Sequence, residues 1–172
     1  MGQNGLMRTP IGALALVSVA LVIASPAQAQ KLTIQTSSLS TIVVPHDIKP
    51  KNKLNKGDYI YFKDLLLNRV PQFGKKKGRP VAFDEGLITY TNGKDRKLTC
   101  IVTFPGVGTI TYGGMMIDRP DGTTVFPIIS GTGGFKGVTG TVTLGKGAKT
   151  PANIFAITVP GNPINIGGGG VA

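Results

Sequence analysis

The side chains able to do chemistry here are few and scattered, which narrows the chemistry sharply. The 172-residue chain holds one cysteine, one histidine and eight acidic residues. Cys100 lies in Leu98-Thr99-Cys100-Ile101-Val102-Thr103-Phe104, an alternating strand pattern that makes it a small buried hydrophobe. A nucleophilic cysteine would need a neighbouring base, and the single histidine, His46, stands in a Pro-flanked segment far away in sequence. With one His and one Cys, a zinc or copper site of the usual ligand types is not expected, and no cofactor is called for. What remains is carboxylate chemistry. Ile60, Phe62 and Asp64 alternate along one strand and therefore share a face. A carboxyl turned inward beside two apolar side chains would be an acid/base group; turned outward, it would serve a salt bridge or a turn. Tyr90 and Tyr112 are able to orient a ligand by hydrogen bonding, or to pack as core or interface tyrosines.

The elements that must position these groups are strands. Tyr59-Ile60-Tyr61-Phe62-Lys63-Asp64-Leu65 reads as one. Leu87 to Thr91 runs into Asn92-Gly93, a strong hairpin signal, and returns from Leu98 to Phe104. Further strands are expected at Gly108–Tyr112, Val125–Ile129, Gly140–Leu144 and Ile154–Val159, separated by Pro105-Gly106 and Asp121-Gly122 turns. No segment of helical length carries a 3.6-residue stripe. Seven or eight short strands with turn chemistry between them indicate an all-β barrel or sandwich. Residues 30–56 read as a polar arm or a first edge strand, since Pro45 and Pro50 exclude a helix. Residues 57–160 are the barrel domain, and the Gly-rich 161–172 a flexible tail. Gly131-Thr132-Gly133-Gly134-Phe135-Lys136-Gly137 lacks the Gly-Lys-Ser/Thr closure of a phosphate-binding loop and precedes β-formers. It reads instead as a sharp corner plugged by Phe135. Small residues at Gly114, Ala156 and Thr158, if inward, would leave space inside.

Two segments carry a family resemblance. Tyr61-Phe62-Lys63-Asp64-Leu65-Leu66 resembles the aromatic strand of plant dirigent proteins. Phe126-Pro127-Ile128-Ile129-Ser130-Gly131-Thr132-Gly133-Gly134-Phe135 resembles the Pro-apolar-Gly-Thr-Gly-x-Phe signature shared by dirigent proteins and allene oxide cyclases. The resemblance spans residues 57–160. It implies a closed antiparallel β-barrel of about eight strands that binds an apolar small molecule inside and assembles as a dimer or trimer. It further implies an isomerase/cyclase activity, or stereochemical guidance of a coupling, in which the pocket selects conformers of a reactive substrate. Asp64 matches the dirigent aspartate that faces the pocket, and Asp118 lies near a second pocket acid. Asp84 stands where that pattern has a tyrosine, and Thr124 where it has an arginine. With Ile60, Phe62, Tyr90, Cys100 and Tyr112, these acids make up the expected catalytic and ligand-binding set. A non-catalytic carrier and a structural cell-surface barrel are the competing readings.

Charge and leader set the setting. Arg8, the apolar run Ile11 to Ala24 and Ser25-Pro26-Ala27-Gln28-Ala29 form a secretory signal peptide cleaved after Ala29, so residues 1–29 are expected to be lost and the protein secreted or periplasmic. The formal charge of +11 gathers in Lys49–Lys56, Lys75–Arg79 and Lys94–Lys97. These runs lack interleaved aromatics, so specific nucleic-acid binding is not expected. A weak attraction to acidic cell-surface polymers, or a solvated face, is.

Overall fold

Alternation of apolar and polar residues sets most of the described residues in strands. The computed structural model describes residues 28–47, 55–92, 94–117, 119–145, 152–161 and 163–166. Eight strands follow in order: β1 Gln30–His46, β2 Tyr59–Asn68, β3 Pro80–Tyr90, β4 Arg96–Phe104, β5 Gly108–Met115, β6 Thr123–Gly131, β7 Thr139–Gly145 and β8 Ala152–Val159. Every neighbouring pair is antiparallel, and β1 pairs with both β2 and β8, closing the barrel. The all-β closed barrel expected from the sequence is therefore the fold. Residues 1–27 of the expected signal peptide 1–29, and residues 167–172 of the expected tail, lie outside the described residues.

The structure corrects the reading of residues 30–56. The first seventeen of them form β1, which pairs with β8 over Gln30–Ser37 and with β2 over Thr36–His46, so this segment is a stave of the closed barrel and not an arm. Ser38 and Ser40 misled because they line the hollow part of the barrel. Leu32, Ile34 and Thr36 point inward, and Ser38 and Ser40 continue the same face. A bulge between Ser40 and Ile42 then shifts the phase, pinned by Thr41 Oγ1 donating to the Lys63 carbonyl at 2.6 Å. Val43 thereby returns to the inner face.

The two ends of the barrel are built differently. At one end an aromatic cluster fills the interior: the Phe104 ring lies 5.2 Å from Phe73, 5.2 Å from Phe135 and 6.1 Å from Phe155. Phe135, held in the single 3-10 turn Gly133–Phe135, plugs this end from the glycine corner. The corner needs its glycines: a Cβ on Gly131 would stand 2.7 Å from a Val138 methyl and 3.0 Å from the Phe135 Cβ. Ile164 and Ile166 cover the same end, so the first part of the expected flexible tail packs, with Gln30 Nε2 donating to the Ile164 carbonyl at 3.2 Å. Buried Gln72 and Asn68 anchor the basic β2–β3 loop here. Gln72 mimics a strand against Gln35, and Asn68 Nδ2 donates to the carbonyls of Gln72 and Lys75.

The opposite end carries the β3–β4 hairpin. Its connection spans residues 91–95, longer than a two-residue turn, because Asn92 Oδ1 accepts from the backbone N–H of both Lys94 and Asp95 and turns the chain by itself. This end is not filled.

Candidate active site

Short side chains leave the hollow. Ser38 and Ser40 of β1, Asp64 of β2, Asp84 of β3 and Asn153 of β8 stand inward where the other half of the barrel has phenylalanines. The result is a cavity of about 270 Å³ whose walls are Ile60, Phe62, Ile88 and Leu98, with Tyr112 closing it toward the aromatic end. Val43, Met116 and Leu144 complete its lining. Ligand pockets are typically built this way, with apolar walls and a few convergent polar groups.

Register brings the two acids together. Asp64 is directly opposite Asp84 across β2 and β3, and opposite Ser40 across β1 and β2. Side chains opposite one another in an antiparallel pair have Cβ atoms about 4.5–5.5 Å apart, within mutual influence of their charges. Asp84 is 2% exposed. Oδ1 of each carboxyl is buried without a hydrogen-bond partner. Burial, and next the negative charge of Asp64, push the Asp84 carboxyl up to about 7. Asp64 is also raised by burial, against a lowering hydrogen bond with Ser40. Asp84 is therefore the carboxyl that keeps its proton toward neutral pH, beside an Asp64 that burial also raises.

Ile60, Phe62, Asp64, Asp84 and Tyr112 of the expected set all line this cavity. Tyr90 does not: it sits at the hairpin end of β3, opposite Arg96, two residues beyond Ile88 on the same face. Cys100 lies behind the wall, fully buried, opposite Gly86 on one side and Tyr112 on the other. Burial pushes its thiol up, so it stays protonated, and its side chain hydrogen-bonds Tyr112. Burial likewise raises the Tyr112 phenol, which remains neutral. Asp118 lies outside the described residues. Ala156 and Thr158 point away from the interior, because Phe155, Ile157 and Val159 take the inward phase of β8. The space comes instead from Ser38 and Ser40, and from Gly86, over which the Phe62 ring lies: a Cβ there would stand 2.5 Å from Phe62 Cζ. Sequence reading missed Ser38, Ser40 and Asn153, whose only signal was a run of small polar residues alternating in a β-forming segment.

No protein-family model and no curated protein matches the chain. Solved structures do. A pyocyanin demethylase superposes with a TM-score of 0.57 at 21% identity, covering 73% of this chain and 99% of its own. A pterocarpan synthase dirigent protein superposes with a TM-score of 0.57 at 14% identity, covering 81% of this chain and 100% of its own. A Diels–Alderase from Streptomyces koyangensis superposes with a TM-score of 0.56 at 13% identity, covering 78% of this chain and 69% of its own. The chain has the closed-barrel fold shared by dirigent proteins and cyclising barrels.

Proposed function

We propose that this protein binds an apolar small molecule in the barrel interior and directs its cyclisation or coupling, with Asp64 and Asp84 as the proton-handling pair. The observation that carries this reading is two opposed carboxyls, one of them held near neutrality, in an apolar cavity of ligand size. In a cyclisation, the ionised carboxyl takes a proton from a substrate carbon, the freed electron pair closes the ring on a carbonyl carbon within the same molecule, and the protonated carboxyl donates to that carbonyl oxygen as its π bond breaks. The proton count is restored within the pair, so no oxidant or external base is consumed. Such general acid–base assistance contributes about 10²–10⁴-fold. Confinement by Ile60, Phe62, Ile88 and Leu98 limits the conformers that react, which sets the stereochemistry. Two of the structural neighbours, a pterocarpan synthase dirigent protein and a Diels–Alderase, are named for ring-forming reactions, which supports this reading.

The reading extends to the protein's setting. Cleavage after Ala29 would release it as a secreted protein. Outward Leu87 and Ile101, on adjacent β3 and β4, support a homo-oligomer. The basic loops would attract acidic surface polymers weakly.

Native mass spectrometry of the secreted protein, followed by chiral chromatography after incubation with phenolic, polyketide and oxylipin substrates, tests it. A retained apolar molecule, and a ring-closed product lost in Asp84→Asn, are expected. An empty protein that leaves product ratios unchanged across that panel would overturn the reading.

A further inference from the structure

The polar end of the cavity holds two carboxyl oxygens that its own hydroxyl and amide groups leave unpaired. Asn153 Nδ2 donates to Ser38 Oγ at 2.8 Å, and the Ser40 hydroxyl is engaged with Asp64. Asp64 Oδ1 and Asp84 Oδ1 are left buried and unpartnered. Among the described residues, none that lines the cavity is a lysine, an arginine or a histidine. The negative charge of the pair is therefore uncompensated by the protein, within apolar walls where charges are poorly screened. Lys94 and Lys97 stand exposed at the β3–β4 hairpin, where water and salt screen them.

We propose that the ligand of this cavity is an apolar cation, a ring system or short chain bearing a protonated amine or comparable cationic nitrogen, seated against Asp64 and Asp84. The nitrogen supplies N–H donors for the two orphaned oxygens and a positive charge beside the ionised carboxylate. An anionic ligand would place a second negative centre beside it. A neutral alcohol would satisfy one oxygen and leave the charge uncompensated. This inference rests on the cavity being a small-molecule site, as proposed above, and narrows what that site takes.

Isothermal titration of the intact protein at pH 7.5 with naphthylmethylamine, naphthylmethanol and naphthoate holds the apolar body constant and varies only the head. The amine is expected to bind about tenfold or more tighter than the alcohol, with naphthoate weakest. The ranking is read on the unaltered protein and does not depend on any variant folding. In D64N/D84N, checked for native circular dichroism, the amine's advantage is expected to collapse to within about twofold. Equal binding of amine and alcohol, or tighter binding of naphthoate, overturns the cation assignment while leaving the cavity reading intact. A preference for the amine that persists in the folded double variant places the cation elsewhere and also overturns it. Binding of none of the three overturns both.

Discussion

Asp64 and Asp84 face each other across the β2–β3 ladder, each with one buried carboxyl oxygen that no protein group satisfies. Like charges at this separation, in a dry interior, do not ionise together readily. The arrangement is costly to fold and useful only if a proton or a ligand completes it, which is the mark of a working site rather than of a structural ion pair.

The cost is readable as a pH dependence of stability. An unfolded Asp84 would titrate as an ordinary aspartate, at about 3.8, whereas the folded carboxyl holds its proton to about 7. Between these values the native state binds the extra proton, so stability falls as pH rises from about 4 through 7 and levels off above. Charged and titratable neighbours do not reverse this. Asp64 is raised in the same direction, and Cys100 and Tyr112 stay neutral throughout the window. Urea unfolding should show wild type losing roughly 2–4 kcal/mol between pH 4.5 and 8 through this group. Asp84→Asn should flatten that loss and be the more stable protein at pH 8. A variant less stable than wild type at pH 8 would argue that Asp84 is ionised and satisfied in the folded protein.

Gly86 holds the Phe62 wall in place. A Cβ there would meet the Phe62 ring at 2.5 and 2.8 Å and the Thr99 carbonyl oxygen at 2.9 Å. Gly86→Ala should push the ring off its seat, destabilise by about 1–3 kcal/mol and weaken ligand binding. Adding Phe62→Leu should recover part of the stability, since the ring yields while the backbone oxygen does not. No recovery in the double variant would assign the strain to Thr99 alone.

The filled and hollow halves should respond independently. Phe104→Ala removes the ring that joins Phe73, Phe135 and Phe155 and should cost about 3–5 kcal/mol. Ligand affinity should change little, because Phe104 does not line the cavity. Ile60→Trp should do the opposite, blocking binding at nearly unchanged stability. Thermal denaturation with and without ligand separates the two, and coupled losses in both variants would contradict a divided interior.

Much of this was legible in the sequence, and the rest was hidden for definite reasons. Turn chemistry at Pro105-Gly106 and Asp121-Gly122 marked the staves, and Cys100 was readable as buried because its neighbours alternate. The shared face of Ile60, Phe62 and Asp64 followed from the two-residue period alone. That Asp84 meets Asp64 did not, since it depends on the β2–β3 register set beyond the strands by the loop that Asn68 and Gln72 hold. β1 was obscured because inward serines are legible as core only once a cavity is known to need them. Whether Ala156 and Thr158 face inward was open in the sequence, because a strand's phase is fixed by its partners, here with Phe155 and Ile157 turning inward.

The most direct test of a proton-sharing pair in a ligand-accessible cavity is a carbon-13 NMR titration of the aspartate carboxyls, without and with naphthylmethylamine. The account predicts one carboxyl of the pair titrating near 7, lowered only in part in Asp64→Asn because burial remains its larger cause, and shifting when the ligand is added. Both carboxyls titrating near 4 and indifferent to ligand would contradict it.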